Sequence, residues 1–193
     1  GFRLNFGGLH KKYKIYPDMC MFGKALGNGY AITAVLGKKD IMQAAQDTFI
    51  SSTFWTERSG PAAALSTLKE MERIKSWEII QNKGKTIKDE WKDIARSTNF
   101  DIKISGLDAI PKFSILDKNA NAYKTFITQE MLKKNILASN MIFASTAHSD
   151  QILENYFREL KNIFREMKIL KFDNNIKSKL NRGEAWNTFK RYN

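Results

Sequence analysis

One lysine and one hydroxyl-rich loop carry the side chains that could do chemistry. Lys24 stands in Pro17-Asp18-Met19-Cys20-Met21-Phe22-Gly23-Lys24-Ala25-Leu26-Gly27-Asn28-Gly29-Tyr30, between a short apolar run and a glycine-rich turn. A lysine held half out of water loses its proton near neutral pH and acts as an amine nucleophile. Most lysines are solvated, so the pattern also fits a surface lysine after an edge strand. Residues 47–56 carry five hydroxyl side chains, Thr48, Ser51, Ser52, Thr53 and Thr56. Such a loop can hold an anion through hydroxyls and backbone N–H groups, or simply use Ser/Thr turn chemistry. Cys20 reads as a small core residue or a reactive thiol. His10 and His148 lack metal-ligand spacing; no metal is expected, and His148 reads as a structural residue at a strand-to-helix turn.

The elements that must position Lys24 are short. Met19 to Phe22 read as a buried strand entered from Pro17, and residues 31–36, apolar on both faces, as a central strand. Residues 38–46 predict a short helix with Ile41, Met42 and Ala45 on one face. Ser59-Gly60-Pro61 predicts a helix start with Ser59 as cap and Ala62, Leu65, Leu68 and Met71 inward. Ser76 opens another helix, with Ile80, Gly84, Ile87, Trp91 and Ile94 on one face. Gly84 costs helix stability, which predicts a neighbour packed closely against it.

The pattern then changes. Residues 101–105 and 111–116 alternate as strands, and Tyr123, Phe126, Ile127 and Met131 form a helical stripe. Asn135 fits a left-handed cap. Residues 141–144 predict a third strand. From Ser149-Asp150 a long helix follows, with Ile152, Leu153, Tyr156, Phe157, Leu160, Ile163, Phe164 and Met167 on a wide apolar face. Residues 171–193 are basic and end on Trp186, Phe189 and Tyr192; they read as a docked arm or as disorder. The fold class is α/β: residues 1–75 look like the end of a large α/β domain, and residues 76–170 like a small α+β domain.

Composition narrows the function classes. The 193 residues are 42% hydrophobic and 12% aromatic, which suits a packed globule. Net charge is +12, but the cations are interspersed with Asp and Glu, so no nucleic-acid partner is expected. No stretch is apolar enough to span a membrane and no secretory leader is read, so no membrane partner is expected. One cysteine excludes an internal disulfide and suits a reducing, cytoplasmic location.

Together these residues resemble the class III pyridoxal-phosphate-dependent aminotransferases of fold type I, nearest the glutamate-1-semialdehyde 2,1-aminomutase branch. The resemblance rests on Gly1-Phe2-Arg3, Pro17-Asp18, Phe22 through Gly29, Ile32 through Gly37 with Ile41-Met42, Ser52-Thr53-Phe54 and Gly60-Pro61-Ala62-Ala63-Ala64, and more weakly on Ala147-His148-Ser149-Asp150. It covers about the first 75 residues well and the rest in outline. It implies the C-terminal part of a fold type I large domain (residues 1–75), then a small α+β domain (76–170) and a basic aromatic tail (171–193).

The resemblance also implies chemistry. Lys24 would form the internal Schiff base with pyridoxal 5'-phosphate, and its freed amine would move a proton as base, then acid. Thr53 would hydrogen-bond the cofactor phosphate of the partner subunit in a homodimer. Ser52 stands where the family usually has glycine; it either adds a donor or shifts the loop. Substrates would be an amino donor and a keto or aldehyde acceptor. The ring-nitrogen aspartate, the phosphate loop and the stacking aromatic would lie upstream of Gly1. The chain is thus expected to be the C-terminal half of an enzyme and not to transaminate without its N-terminal half. An aminomutase and a non-catalytic domain that keeps the fold are the alternative readings.

Overall fold

The computed structural model describes residues 2–185. They form α1 (Leu9–Lys12), β1 (Met19–Phe22), β2 (Ala34–Gly37), α2 (Lys39–Gln43), α3 (Ser59–Ile74), α4 (Ser76–Thr98), β3 (Ile102–Ser105), β4 (Lys112–Ile115), α5 (Ala120–Leu132) and α6 (Asp150–Phe172). The chain divides into two compact units between Ile79 and Ile80.

In the first unit, β1 and β2 pair antiparallel, Cys20 opposite Leu36 and Phe22 opposite Ala34. Residues 23–33 connect them and contain the lysine. The strand expected to be buried is not: Met19 is 54% and Met21 83% exposed. The strand expected to be central is Ala34–Gly37, and among the described residues it pairs only with β1. An apolar run on both faces signals a strand that needs covering; the described residues supply one neighbour. In α2 the inward residue is Met42, while Ile41 is exposed.

Two details of α3 differ from the expected pattern. Its buried residues are Gly60 and Ala64, while Leu65 is 56% exposed. The helix approaches its neighbours through small side chains one turn apart, which rotates the buried stripe away from Leu65. Ser59 is not the cap. Glu57 accepts from the Ser59 N–H at 2.9 Å, the Ser59 hydroxyl and the Gly60 N–H at 3.3 Å, so a carboxylate closes the helix start.

The second unit contains the hydrophobic core. Ile87, Trp91 and Ile94 of α4 pack with Phe113 and Ile115 of β4, the expected face of α5, and Leu160, Phe164 and Met167 of α6. Trp91 lies edge-on to Phe113 at 4.8 Å and donates its indole N–H to the Tyr156 hydroxyl at 2.9 Å. Gly84 meets the close neighbour its position predicts: a Cβ there would fall 1.5 Å from the Asp108 carbonyl oxygen. The Ser149 hydroxyl caps α6 by accepting from the Ile152 N–H.

Residues 141–144 do not form a strand. They contribute one bridge, Lys112 to Met141, with Ile142 and Ala144 N–H groups donating to the Pro111 and Ala109 carbonyls. Pro111 has no N–H to return, so the ladder stops. Asn135 has φ 58°, in the left-handed region as expected, but beyond the α5 cap at Lys133. Residues 173–185 fold back on α5: Ile176 is buried, Gln129 bonds the Lys179 carbonyl and the Asn181 N–H, and the Thr125 hydroxyl accepts from the Ala185 N–H. Trp186, Phe189 and Tyr192 lie outside the described residues.

Candidate functional site

Lys24 sits where β1 stops. Gly23 is extended, and the chain then makes one tight turn over Lys24–Leu26, with the Leu26 N–H on the Gly23 carbonyl at 3.0 Å. Lys24 itself has φ 48°. A non-glycine residue in that left-handed region costs about 1–2 kcal/mol relative to its usual backbone. The Gly27 and Asn28 N–H groups both donate to the Lys24 carbonyl at 3.3 Å and hold the turn. Leu26 and Gly27 are buried while the Lys24 side chain is exposed.

The lysine lines a pocket of about 840 Å³ together with Phe2, Arg3, Phe22, Asn28 and Thr33. Its walls are mixed: aromatic and aliphatic groups from the strands, and an amine, a guanidinium, an amide and a hydroxyl around them. Sites for drug-sized ligands run from about 300 to 1,000 Å³ and combine an apolar lining with a few polar groups. The Phe2 ring packs 5.5 Å from Phe22, and His10 reaches the other end of β1 with its Nδ1 3.9 Å from Cys20 Sγ.

Ser52 and Thr53 stand apart from this pocket. Both are exposed on the segment before α3 and neither lines the cavity. The Ser52 hydroxyl accepts from the Phe54 N–H at 3.3 Å, and the Glu57 N–H donates to the Phe54 carbonyl at 3.1 Å. That turn leads into the Glu57 cap. The three residues selected from sequence therefore fall into two places, Lys24 in a cavity and Ser52-Thr53 on an exposed loop.

Sequence reasoning missed Phe2 and Arg3 as lining, the left-handed Lys24 and the Glu57 cap. An acid two residues ahead of Ser59 was the available signal for the last. His148 sits at the turn before α6, where its Nδ1 accepts from the Ser145 N–H at 3.3 Å. Burial, then the Lys83 charge, hold its pKa below the ordinary value. Among the described residues no group of three His, Cys, Asp or Glu could hold a metal ion. No described helix is long and apolar enough to cross a membrane.

Comparison with known proteins supplies the context of this geometry. Residues 7–147 match the family model described as aminotransferase class-III. The chain is 31% identical over 140 residues to a 3-aminobutyryl-CoA aminotransferase of Cloacimonas acidaminovorans, covering 70% of this chain and 34% of that protein. It is 31% identical over 172 residues to a glutamate-1-semialdehyde 2,1-aminomutase of Bdellovibrio bacteriovorus, covering 80% and 40%. Among solved structures it resembles the FumI protein of Sphingopyxis sp. in its PLP internal aldimine form, with a TM-score of 0.79 at 23% identity over 89% of this chain and 42% of that one. A β-phenylalanine aminotransferase from Variovorax paradoxus gives a TM-score of 0.74 at 17% identity, over 87% and 43%. The chain thus spans between 34% and 43% of the length of these relatives.

Proposed function

The chain belongs to the class III aminotransferases, and from that premise we propose that it carries the lysine side of a pyridoxal-phosphate site. Its fold is the C-terminal part of the fold type I transferase architecture. The whole protein, by this proposal, moves an amino group between an amino compound and a keto or aldehyde acceptor, with Lys24 as the Schiff-base residue. The carrying observation is that Lys24 leaves β1 on a tight turn and lines a pocket of about 840 Å³ within the matched residues. That volume and mixed lining suit a flat aromatic ring bearing an anionic group.

When bound, pyridoxal phosphate supplies an electron sink for charge on the substrate Cα. Lys24 would hold the cofactor through its amine, and the same amine is the group that would carry a proton to and from the substrate Cα. The exposed Thr53 hydroxyl donates to the cofactor phosphate of a partner subunit, and Ser52 adds a second hydroxyl beside it. The separation of Ser52-Thr53 from the Lys24 pocket supports service to a second copy in a homodimer. Residues 1–75 then belong to a large cofactor domain, 76–170 to a small domain and 171–193 to a tail, with an N-terminal half completing the site. A single cysteine supports a cytoplasmic location. An aminomutase is the second reading, favoured by the 172-residue similarity to the Bdellovibrio bacteriovorus protein; it would turn over one substrate without an added acceptor.

The test uses the complete protein with pyridoxal phosphate, visible absorbance and borohydride trapping. Label is expected on Lys24. Lys24→Ala is expected to lose the visible band and at least about 10²-fold in turnover. Thr53→Val should weaken cofactor binding roughly tenfold, one hydrogen bond to a charged group. A Lys24→Ala protein that keeps both band and turnover sinks the proposal.

A further inference from the structure

Ile32 lies between two glycines that face it from different elements. A Cβ on Gly27 would fall 2.8 Å from Ile32 Cγ2 and 2.1 Å from the Tyr30 carbonyl oxygen. A Cβ on Gly60 would fall 3.2 Å from Ile32 Cβ and 3.5 Å from Ile32 Cδ1. Neither glycine is there for its dihedrals: Gly27 has φ −88° and Gly60 is inside α3. Both are buried. What each provides is the absence of a side chain, so that the isoleucine can touch the backbone. One branch of Ile32 reaches the lysine turn and the other the first turn of α3. A β-branched side chain is stiff at χ1, so it acts as a spacer of fixed length.

The contacts extend on both sides. Toward the lysine, the Gly27 N–H bonds the Lys24 carbonyl at 3.3 Å. Toward the loop, the Gly60 N–H bonds Glu57 Oε2 at 3.3 Å, and the Glu57 N–H bonds the Phe54 carbonyl at 3.1 Å, next to Thr53. Ile32 thus stands between the turn that carries Lys24 and the hydrogen-bonded start of α3, which leads back to Phe54 beside Thr53.

We propose that Ile32 is a positioning residue, a wedge that sets the lysine turn against the start of α3 and so fixes Lys24 relative to the hydroxyl loop. The proposal rests on the reading of Lys24 and Thr53 as cofactor residues. In a dimer the wedge sets, in each subunit, the offset between the lysine of one site and the loop serving the other.

The prediction separates positioning from general damage, because the cofactor has two handles. Pyridoxal needs only the lysine, and inorganic phosphate needs only the anion side. Pyridoxal phosphate needs both at the right separation, and a misplacement near 1 Å can cost up to about 10²-fold. Gly60→Ala pushes on Ile32 Cβ, and on the far side Ile32 has only the space that the missing Gly27 Cβ leaves, a point 2.8 Å from its Cγ2. Ile32→Ala removes the spacer. In the complete protein, each single variant is expected to weaken pyridoxal phosphate roughly tenfold while pyridoxal and phosphate stay within about twofold. The double variant Gly60→Ala/Ile32→Ala should recover part of the loss seen in Gly60→Ala, because the methyl at 60 meets the β-carbon of residue 32, and without a Cγ2 facing Gly27 that residue is free to give way. The milder Ile32→Val, which keeps Cγ2 and drops Cδ1, should fall between wild type and Ile32→Ala.

Unchanged pyridoxal-phosphate affinity in the single variants overturns the wedge. So does parallel weakening of all three ligands with a lower unfolding temperature, or a double variant no better than Gly60→Ala. A wild type that takes no pyridoxal phosphate onto Lys24 overturns the reading of that lysine, and the wedge with it; trapping on wild-type Lys24 separates the two failures.

Discussion

A carboxylate closes the start of α3, and the consequence is a pH dependence with a definite sign. The Ser59 hydroxyl and the Ser59 and Gly60 N–H groups all donate to Glu57 and hold its pKa below the ordinary 4.5. A folded-state pKa below the unfolded one gives a stability contribution that is full above the unfolded value and is lost as pH falls through the folded one. Glu57→Gln should therefore lower the unfolding temperature at about pH 7, and the difference from wild type should shrink toward about pH 3. Parallel curves at both pH values would rule the charged cap out. At this scale the sequence was informative about residue type and silent about backbone. An amine between an apolar run and three glycines marks Lys24 as a candidate, yet nothing in the letters gives its φ of 48°. Ser59 looked like the cap because Ser is a common one, while Glu57 won because two oxygens can serve three donors.

Among elements, α4 shows local pattern and tertiary packing pulling in opposite directions. Gly84→Ala would gain about 1 kcal/mol of helix propensity. The added Cβ would meet the Asp108 carbonyl at 1.5 Å, on a loop that Lys88 pins through Asp108 and the Gly106 carbonyl. Overpacking of this kind costs about 1–3 kcal/mol or more, so the clash wins. A net loss of about 2 kcal/mol is expected in denaturant titration, and a variant as stable as wild type would contradict the packing. The α4, α5 and α6 faces were legible because long amphipathic periods repeat over several turns; the exception is Ile152 in the first turn of α6, which is 53% exposed. The four-residue β1 and β2 were placed but their burial was misjudged, because a short apolar run says that a strand needs cover and not where the cover comes from. Residues 141–144 carried the right composition for a strand, but Pro111 opposite them removed the donor.

At the scale of the molecule, the buried apolar cluster lies wholly between Ile87 and Ile176, in the second unit. Residues 80–193 expressed alone are therefore expected to unfold in one cooperative transition. A broad, featureless melt would show that this core does not sustain a fold by itself. The family and fold class were legible because the lysine and Ser-Thr segments occur together in order. The exposure of the apolar strands around Lys24 was not, because an apolar run marks a strand that needs cover without naming what supplies it. The return of residues 173–185 onto α5 has a consequence in time. The Gln129 side chain finds the Asn181 N–H 52 positions later. With synthesis at about 5–20 residues per second, α5 spends several seconds outside the ribosome before its clasp exists. Through that interval Gln129 and Thr125 have only water in place of the backbone groups of Lys179, Asn181 and Ala185 that they later bond.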